Sequence, residues 1–362
     1  MNPGTRELPV LTTLRFFAAA IVLGFHFWPE GQGPAWFGEF FQNGYESVAF
    51  FFVLSGFILT HVYSSRVFSR REFWLSRFAH IYPVYLVSLV IVLPVLVCGA
   101  FVSRPVVITH FWLAMFVVSV LLQSWIPQTA LIWNDPAWSL SVEAFFYALF
   151  PDVLRLQRFV RPLLILGFAT TLVVLTEIAR PAAVAAWVEE RGNLLHRFLA
   201  FFPLFQLPQL LFGMALGLFS VSGRSFEAWF AELVLAAGLG GIALVFVFRT
   251  NVPDLIRGAA LVLLYGSVVF AGTTSVGIIT RILSHGLLVR LGEASYAMNI
   301  LHIPLQFWWN KILRLMTVDR SSVALFLGFL AWLVVLSRAS HRFVETRSRS
   351  LILARYGKRS TV

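Results

Sequence analysis

The sequence predicts an all-α, polytopic transmembrane helical bundle of about ten spans with one re-entrant segment, and three observations carry that reading. Hydrophobic residues make up 59% of the chain and the mean hydropathy is +0.81, well above an ordinary globular domain. Apolar runs of roughly 20 residues recur along the whole length, each able to cross a hydrocarbon core of roughly 30 Å. The period-two alternation of a membrane barrel is missing. In lipid the backbone must satisfy its own hydrogen bonds, so these runs are helices.

Taken in order, the runs are Leu8–Trp28, Glu46–Tyr63, Ile81–Phe101, Val106–Leu122, Ala137–Leu154 and Pro162–Ala179. Ala200–Phe219, Trp229–Phe248, Gly258–Gly272, Leu291–Ile312 and Ser321–Leu336 follow. Charge bias arbitrates their topology. If all eleven cross from a cytoplasmic N-terminus, the Lys and Arg outside the first run divide 13 inside to 14 outside. If Val106–Leu122 dips in and returns, every later side flips and the division becomes 18 to 9. Arg66, Arg70, Arg71 and Arg77, then Arg155, Arg158 and Arg161, and the tail Arg338–Arg359 then all face the cytoplasm. The positive-inside rule favours this arrangement, with both termini cytoplasmic in a bacterial inner membrane. Lys311, Arg314 and Arg320 are its exceptions.

The formal charge of +11 does not describe a nucleic-acid binder, because the basic residues punctuate apolar runs instead of forming one stripe. Aromatics at 16%, with 12 Trp, suit interfacial belts and helix packing. The single cysteine, Cys98, excludes an internal disulfide and a cysteine-based metal site, and reads as a small core residue. No cleavable signal follows the first run. Residues 1–350 read as one membrane domain and 351–362 as a basic cytoplasmic tail.

Ionisable groups inside apolar runs are the informative residues, since each costs several kcal/mol unless paired or lining a cavity. Arg15 and His26 share the first run. Eleven residues at about 100° each return to within roughly 20° of the same face, about 16 Å along the axis. Arg15 then lies towards the cytoplasm and His26 near the outer end; snorkelling of the one and interfacial placement of the other is the structural alternative. Glu143, in Trp138-Ser-Leu-Ser-Val-Glu143, sits about two turns inside its span and requires a cation or histidine partner. His302 lies mid-span in Leu301-His302-Ile303-Pro304, where Pro304 frees the carbonyl four residues earlier. Interhelical glue is the plainer role for both. Arg77 and His80, three apart, share a face at the cytoplasmic mouth of the third span. Two basic groups there suit phosphate, which takes charge-assisted donors, although flanking charge alone also accounts for them.

In this order the motifs resemble the acyltransferase-3 family of membrane O-acyltransferases. Arg15, ten residues, then His26 matches the Arg-x10-His signature. Phe51-Phe-Val-Leu-Ser55-Gly56-Phe57 is similar to its second-helix motif, and Trp138–Tyr147 to its Trp-Ser-Leu-x-x-Glu block. Leu291-Gly292-Glu-Ala-Ser295-Tyr296 followed by His302-Ile-Pro304 resembles its late Gly-x-x-Ser-Tyr…His-x-Pro helix. The likeness runs from about residue 8 to 349. The family's Arg-x-x-Arg appears here as Arg77-x-x-His80, so the second phosphate contact depends on histidine protonation. The Tyr three before the late histidine is Asn299, and the terminal Glu-x-Pro-x-Arg survives as Glu345-Thr-Arg347-Ser-Arg349.

The resemblance implies transfer of an acyl group, by default acetyl, from cytoplasmic acyl-CoA to a hydroxyl of a cell-surface or exported glycan or similar acceptor. Acyl-CoA is then a co-substrate, and no metal or bound cofactor is expected. His26 is the general base, with an ordinary pKa near 6.5 suited to activating an alcohol. Glu143 orients or charge-stabilises an imidazole, and Arg15 neutralises CoA phosphate or the thioester oxyanion. Arg77, His80, Ser295, Tyr296 and His302 are the expected substrate-binding residues. Direct attack on the thioester and relay through an acyl-imidazole are both compatible with the sequence. The rival class is a transporter or flippase for a lipid-linked or secreted glycan. Such folds often show two similar halves, and no internal repeat is evident.

Overall fold

The computed structural model describes residues 8–29, 31–102, 106–157, 160–191, 193–317 and 322–356. Arg158, Arg320, Arg359 and residues 357–362 of the basic tail lie outside these, as does the side chain of Cys98. No strand occurs among the described residues. The helices in chain order are α1 (Pro9–Phe27), α2 (Ala35–Gln42), α3 (Ser47–Tyr63), α4 (Arg70–Val102), α5 (Val106–Ser119), α6 (Ala137–Gln157), α7 (Pro162–Arg191) and α8 (Asn193–Phe201). They continue as α9 (Pro203–Val221), α10 (Ala228–Val247), α11 (Asp254–Ala271), α12 (Ile278–Leu283), α13 (Gly286–Glu293), α14 (Ser295–Leu315), α15 (Val323–Ser340) and α16 (Thr346–Tyr356).

Each of the eleven apolar runs is helical, as the sequence predicts. Seven stretches among the described residues are long and apolar enough to cross a membrane. The other runs fall short for physical reasons. α5 has 14 residues, about 21 Å at 1.5 Å per residue, less than a hydrocarbon core. α11 is short, while α6 and α14 carry the polar groups of interest. The structure also extends the reading. α4 begins at Arg70, so Arg77 and His80, read as sharing a helix face at the mouth of the third span, lie about two to three turns inside one helix. The late run breaks at Ala294 into α13 and α14. The stretch after α15 continues as a π turn, His341–Glu345, and as α16.

The chain divides into two compact units, each assembled from three separated stretches. The first comprises Met1–Val67, Phe150–Glu190 and Leu204–Glu293. Its core joins Leu11 of α1, Val53 and Phe57 of α3, Val173 of α7, Ala215 of α9 and Val269 of α11, all buried. Glycines set the closest approaches. A Cβ on Gly213 of α9 would overlap the Val53 carbonyl of α3, and one on Gly56 would overlap the Leu210 carbonyl in return. Gly213 and Gly217 form a small-xxx-small pair, the device that lets membrane helices touch along their backbones. Gly292 likewise presses α13 against the Thr12 carbonyl of α1.

The second unit comprises Phe68–Leu149, Arg191–Pro203 and Ala294–Val362. Here α4 packs on α5, α14 and α16, and α14 on α15. Proline and helix ends leave carbonyls without amide partners, and side chains take them up. Pro304 removes the amide that would bond Ile300 O, and Asn134 Nδ2 donates to that carbonyl at 3.0 Å. Pro151 does the same to Tyr147 O, which accepts from Trp74 Nε1 at 2.9 Å. At the end of α5, Tyr82 and Tyr85 of α4 donate to Ser119 O at 3.1 Å and Val118 O at 2.7 Å. Tyr85 is fully buried. Buried caps of this kind are what a helix ending away from water requires.

Candidate active site

Arg15 and His26 belong to the first unit, whereas Arg77, His80, Glu143, Ser295, Tyr296 and His302 all belong to the second. α1 runs unbroken from Pro9 to Phe27, so the shared face read from spacing holds. Arg15 is half-buried mid-helix. His26 lies half-buried in the last turn, its ring 5.0 Å from that of Phe25 in an edge-on contact. The helix ends directly after it, with the Trp28 amide bonded to Gly24 O. Trp28 then stacks on Phe41 of α2 at 4.9 Å. An imidazole at a helix end, framed by aromatics, has a defined ring position without being sealed in the core.

In the second unit the Trp138–Glu143 block does two things. Its first turn holds the segment that follows α5, where Leu121 adopts φ 60°. Ser141 Oγ donates to Leu121 O at 2.6 Å, Ser124 Oγ to Trp138 O at 2.7 Å, and Gln123 Nε2 to Ala137 O at 2.7 Å. Glu143, one turn further, is thereby carried on a pinned helix start. Tyr296 of α14 lies within electrostatic reach of both the Glu143 and the Glu345 carboxylates.

Tyr296 also joins this helix to the Arg77–His80 turn. Its hydroxyl donates to Ile81 O at 2.5 Å, and its ring lies 5.6 Å from that of His80. His80 Nδ1 meets Glu345 Oε1 at 3.0 Å, and the other oxygen, Oε2, meets His341 Nδ1 at 3.2 Å. The guanidinium of Arg77 lies 5.9 Å from the centre of the Phe73 ring. Arg77, His80, Tyr296, His341 and Glu345 thus lie close together in the second unit, with Glu143 within electrostatic reach of Tyr296. Ser295, beside it, is fully buried, and its hydroxyl has no hydrogen-bond partner among the described residues. His302 is 1% exposed, with Nδ1 turned 3.3 Å from the Met298 carbonyl one turn earlier. Among the described residues no three or more His, Cys, Asp or Glu are grouped to hold a metal ion.

Sequence reasoning saw Glu345 only as the remnant of a terminal motif and did not see His341. One signal was present: a lone carboxylate among the arginines that run from 338 to 359, with a histidine four residues before it. That spacing puts the two on one face of a helix. Asn134, the donor to the Pro304-freed carbonyl, carried no such signal.

Compared with known proteins, the chain matches a family model described as "Acyltransferase domain" over residues 9–341. It is 29% identical to "Acyltransferase MdmB" of Streptomyces mycarofaciens, over 97% of this chain and 94% of that protein. It is 27% identical to "Exopolysaccharide production protein ExoZ" of Rhizobium meliloti (strain 1021), over 73% of this chain and 77% of that protein. No solved structure matches the chain.

Proposed function

Because the chain belongs to the acyltransferase-3 family, we propose that it transfers an acyl group from cytoplasmic acyl-CoA to a hydroxyl of an exported or cell-surface glycan or similar acceptor. Acetyl is the default group. The observation that carries the reading is that Arg77, His80, Tyr296 and Glu143, four residues of motifs that resemble the family's, fall in one compact unit, where Tyr296 bonds Ile81 O and lies beside the His80 ring. Such groups are costly in a membrane protein unless they work. A relative named for exopolysaccharide production supports a glycan acceptor.

In this reading Arg77 and His80 hold CoA phosphate through charge-assisted hydrogen bonds. His26 takes the proton of the acceptor hydroxyl as its oxygen bonds to the thioester carbonyl carbon. The carbon–sulfur bond then breaks, and the CoA thiolate leaves and takes up a proton from solvent or from the imidazolium. Arg15 offsets the negative charge that develops on the carbonyl oxygen. Relay through an acyl-imidazole at His26 differs in one observable: donor supplied without acceptor leaves an acyl mass on the His26 peptide.

Purified protein in detergent, given labelled acetyl-CoA and an oligosaccharide acceptor, is expected to release CoA and acylate the acceptor. A protein that moves the glycan but leaves the thioester intact would be a flippase instead. Arg77→Ala is expected to raise the KM for acyl-CoA about tenfold and leave that for the acceptor within about twofold, as loss of one charge-assisted contact implies.

The same reading places both termini in the cytoplasm of a bacterial inner membrane, by the charge division of 18 to 9. A phosphatase fused after Val362 is expected to be silent, and a fluorescent protein there bright. The opposite pair of results would refute the topology.

A further inference from the structure

The connection between α1 and α3 holds α2, whose aromatic side is packed from two directions. The Phe41 ring occupies the space that a side chain on Gly24 of α1 would need, two residues before His26. Phe40 meets Phe246 of α10 edge-on at 5.4 Å. Asn43, 2% exposed, donates to Phe246 O at 2.9 Å and to Glu39 O at 3.2 Å, tying the end of α2 to the end of α10. Phe37 completes the group, 5.1 Å from Trp28 and 5.9 Å from Phe41. α2 is thereby seated on the last turns of the helix that carries His26, within the first unit.

The other side of α2 is differently made. Trp36, Glu39 and Gln42 follow at three-residue steps, a stripe about 9 Å long. Trp36 is 49% exposed, with the Phe37 ring against it at 4.4 Å. Its indole N–H has no acceptor among the described residues, and the half-buried Glu39 carboxylate has no donor or cation there. Gln42 is exposed, and its Oε1 accepts from Arg249 Nη1 at 3.3 Å, which leaves the Nε2 donors to a ligand. Arg249 comes from the turn between α10 and α11, also in the first unit.

These four groups meet two chemical demands at once. An indole presents a flat apolar face with negative potential, which the C–H bonds on one side of a pyranose ring match. A carboxylate accepts from hydroxyls while an amide and a guanidinium donate to them, and sugar hydroxyls do both. A phospholipid headgroup fits less well, because its phosphate meets the Glu39 carboxylate with like charge. An interfacial aromatic belt asks only for the indole. A sugar ring uses all four groups.

We infer that Trp36, Glu39, Gln42 and Arg249 form the acceptor subsite, where one pyranose unit of the glycan stacks on Trp36 and bonds the other three through its hydroxyls. The inference rests on the acyl-transfer reading above and names sugar-holding residues for it. None of the four belongs to the motifs that carry the family resemblance. Because α2 is fixed on Gly24 through Phe41, the subsite brings the acceptor to the helix end at which His26 sits.

The test uses the full chain in phosphatidylcholine nanodiscs. The probe is a set of oligosaccharides cut by mild acid from the surface glycan of a strain that lacks this gene. Saturation-transfer NMR reads binding without any acyl-CoA, and labelled acetyl-CoA reads transfer. Trp36→Ala should weaken binding and raise the acceptor KM about tenfold, with the KM for acetyl-CoA within about twofold. Glu39→Ala should raise the acceptor KM about three- to tenfold. Trp36→Phe keeps a flat face and should restore most of the binding, whereas Trp36→Leu keeps only apolar bulk and should not. Should Trp36→Ala fail to fold, Trp36→Leu and Glu39→Ala carry the same comparison. If Trp36→Leu binds as wild type, the indole is an anchor or packing group and the inference fails. It fails too if wild type acylates the probe and the Trp36 and Glu39 variants match it; the acyl-transfer reading then stands. Binding that the Trp36 variants lose, without transfer by wild type, upholds the subsite and removes the acyl-transfer reading. Wild type that does not bind the probe removes the subsite, whatever becomes of the thioester.

Discussion

His26→Ala is expected to abolish acyl transfer while leaving the protein inserted and folded. The imidazole is half-buried in the last turn of α1, next to the Phe25 ring. Truncation at such a place removes little packing, because the helix ends at once and the following Trp28 anchors itself on Phe41. Chemistry is more exacting. An alcohol at neutral pH is a weak nucleophile, and loss of a positioned base costs about 10²–10⁴ in rate. Turnover of acetyl-CoA and acceptor by detergent-purified variant, normalised to monodisperse protein, measures the loss. Activity within a few-fold of wild type would remove His26 from the mechanism and move attention to the second unit.

Gly213→Leu is expected to prevent accumulation of folded protein. Its missing side chain is where α9 meets the backbone of α3, so any Cβ overlaps the Val53 carbonyl oxygen. Overpacking against side chains typically costs about 1–3 kcal/mol because they can move aside. A helix backbone yields much less readily, and Gly56 and Gly217 bring neighbouring turns into the same contact. Gly240→Leu is the control: α10 leaves open space around that glycine, with nothing within 4 Å of the point a Cβ would occupy. Fluorescence-detected size exclusion should show a sharp peak for Gly240→Leu and aggregate for Gly213→Leu. Equal behaviour of the two would mean that the close approach of α3 and α9 is not what holds the first unit.

The glycine contacts also account for part of one motif. Phe51–Phe57 resembles a family signature and contains Gly56. Its position against Leu210 O assigns it to packing. Gly292, first in the late block, is likewise a contact with α1. The polar members of that block, Tyr296 and His302, follow on α14.

Proline was legible to the same depth. Pro304 announces that Ile300 O loses its amide partner, since this follows from covalent structure alone. Which group replaces it does not follow, and Asn134 comes from a segment far away in sequence. The short helix α5 shows the same division. The charge tally asks for one run that dips in and returns and is met if that run is α5's, while the capping of α5 by Tyr82 and Tyr85 appears only in the folded chain.

By itself the amino-acid sequence determined the all-α class, the eleven apolar runs that prove helical, the Arg15–His26 stripe and the set of polar residues worth testing. These follow from local rules: apolar length sets what a segment can cross, and the rise and angle per residue set which side chains share a face. Only the tertiary structure decided that His80 is paired with a carboxylate, that this carboxylate is Glu345, and that His341 shares it. The reason is physical. Away from water a charge or free carbonyl must find a partner, but it accepts any partner of the right polarity that packing brings near. Composition shows that the demand exists, and the fold chooses who meets it.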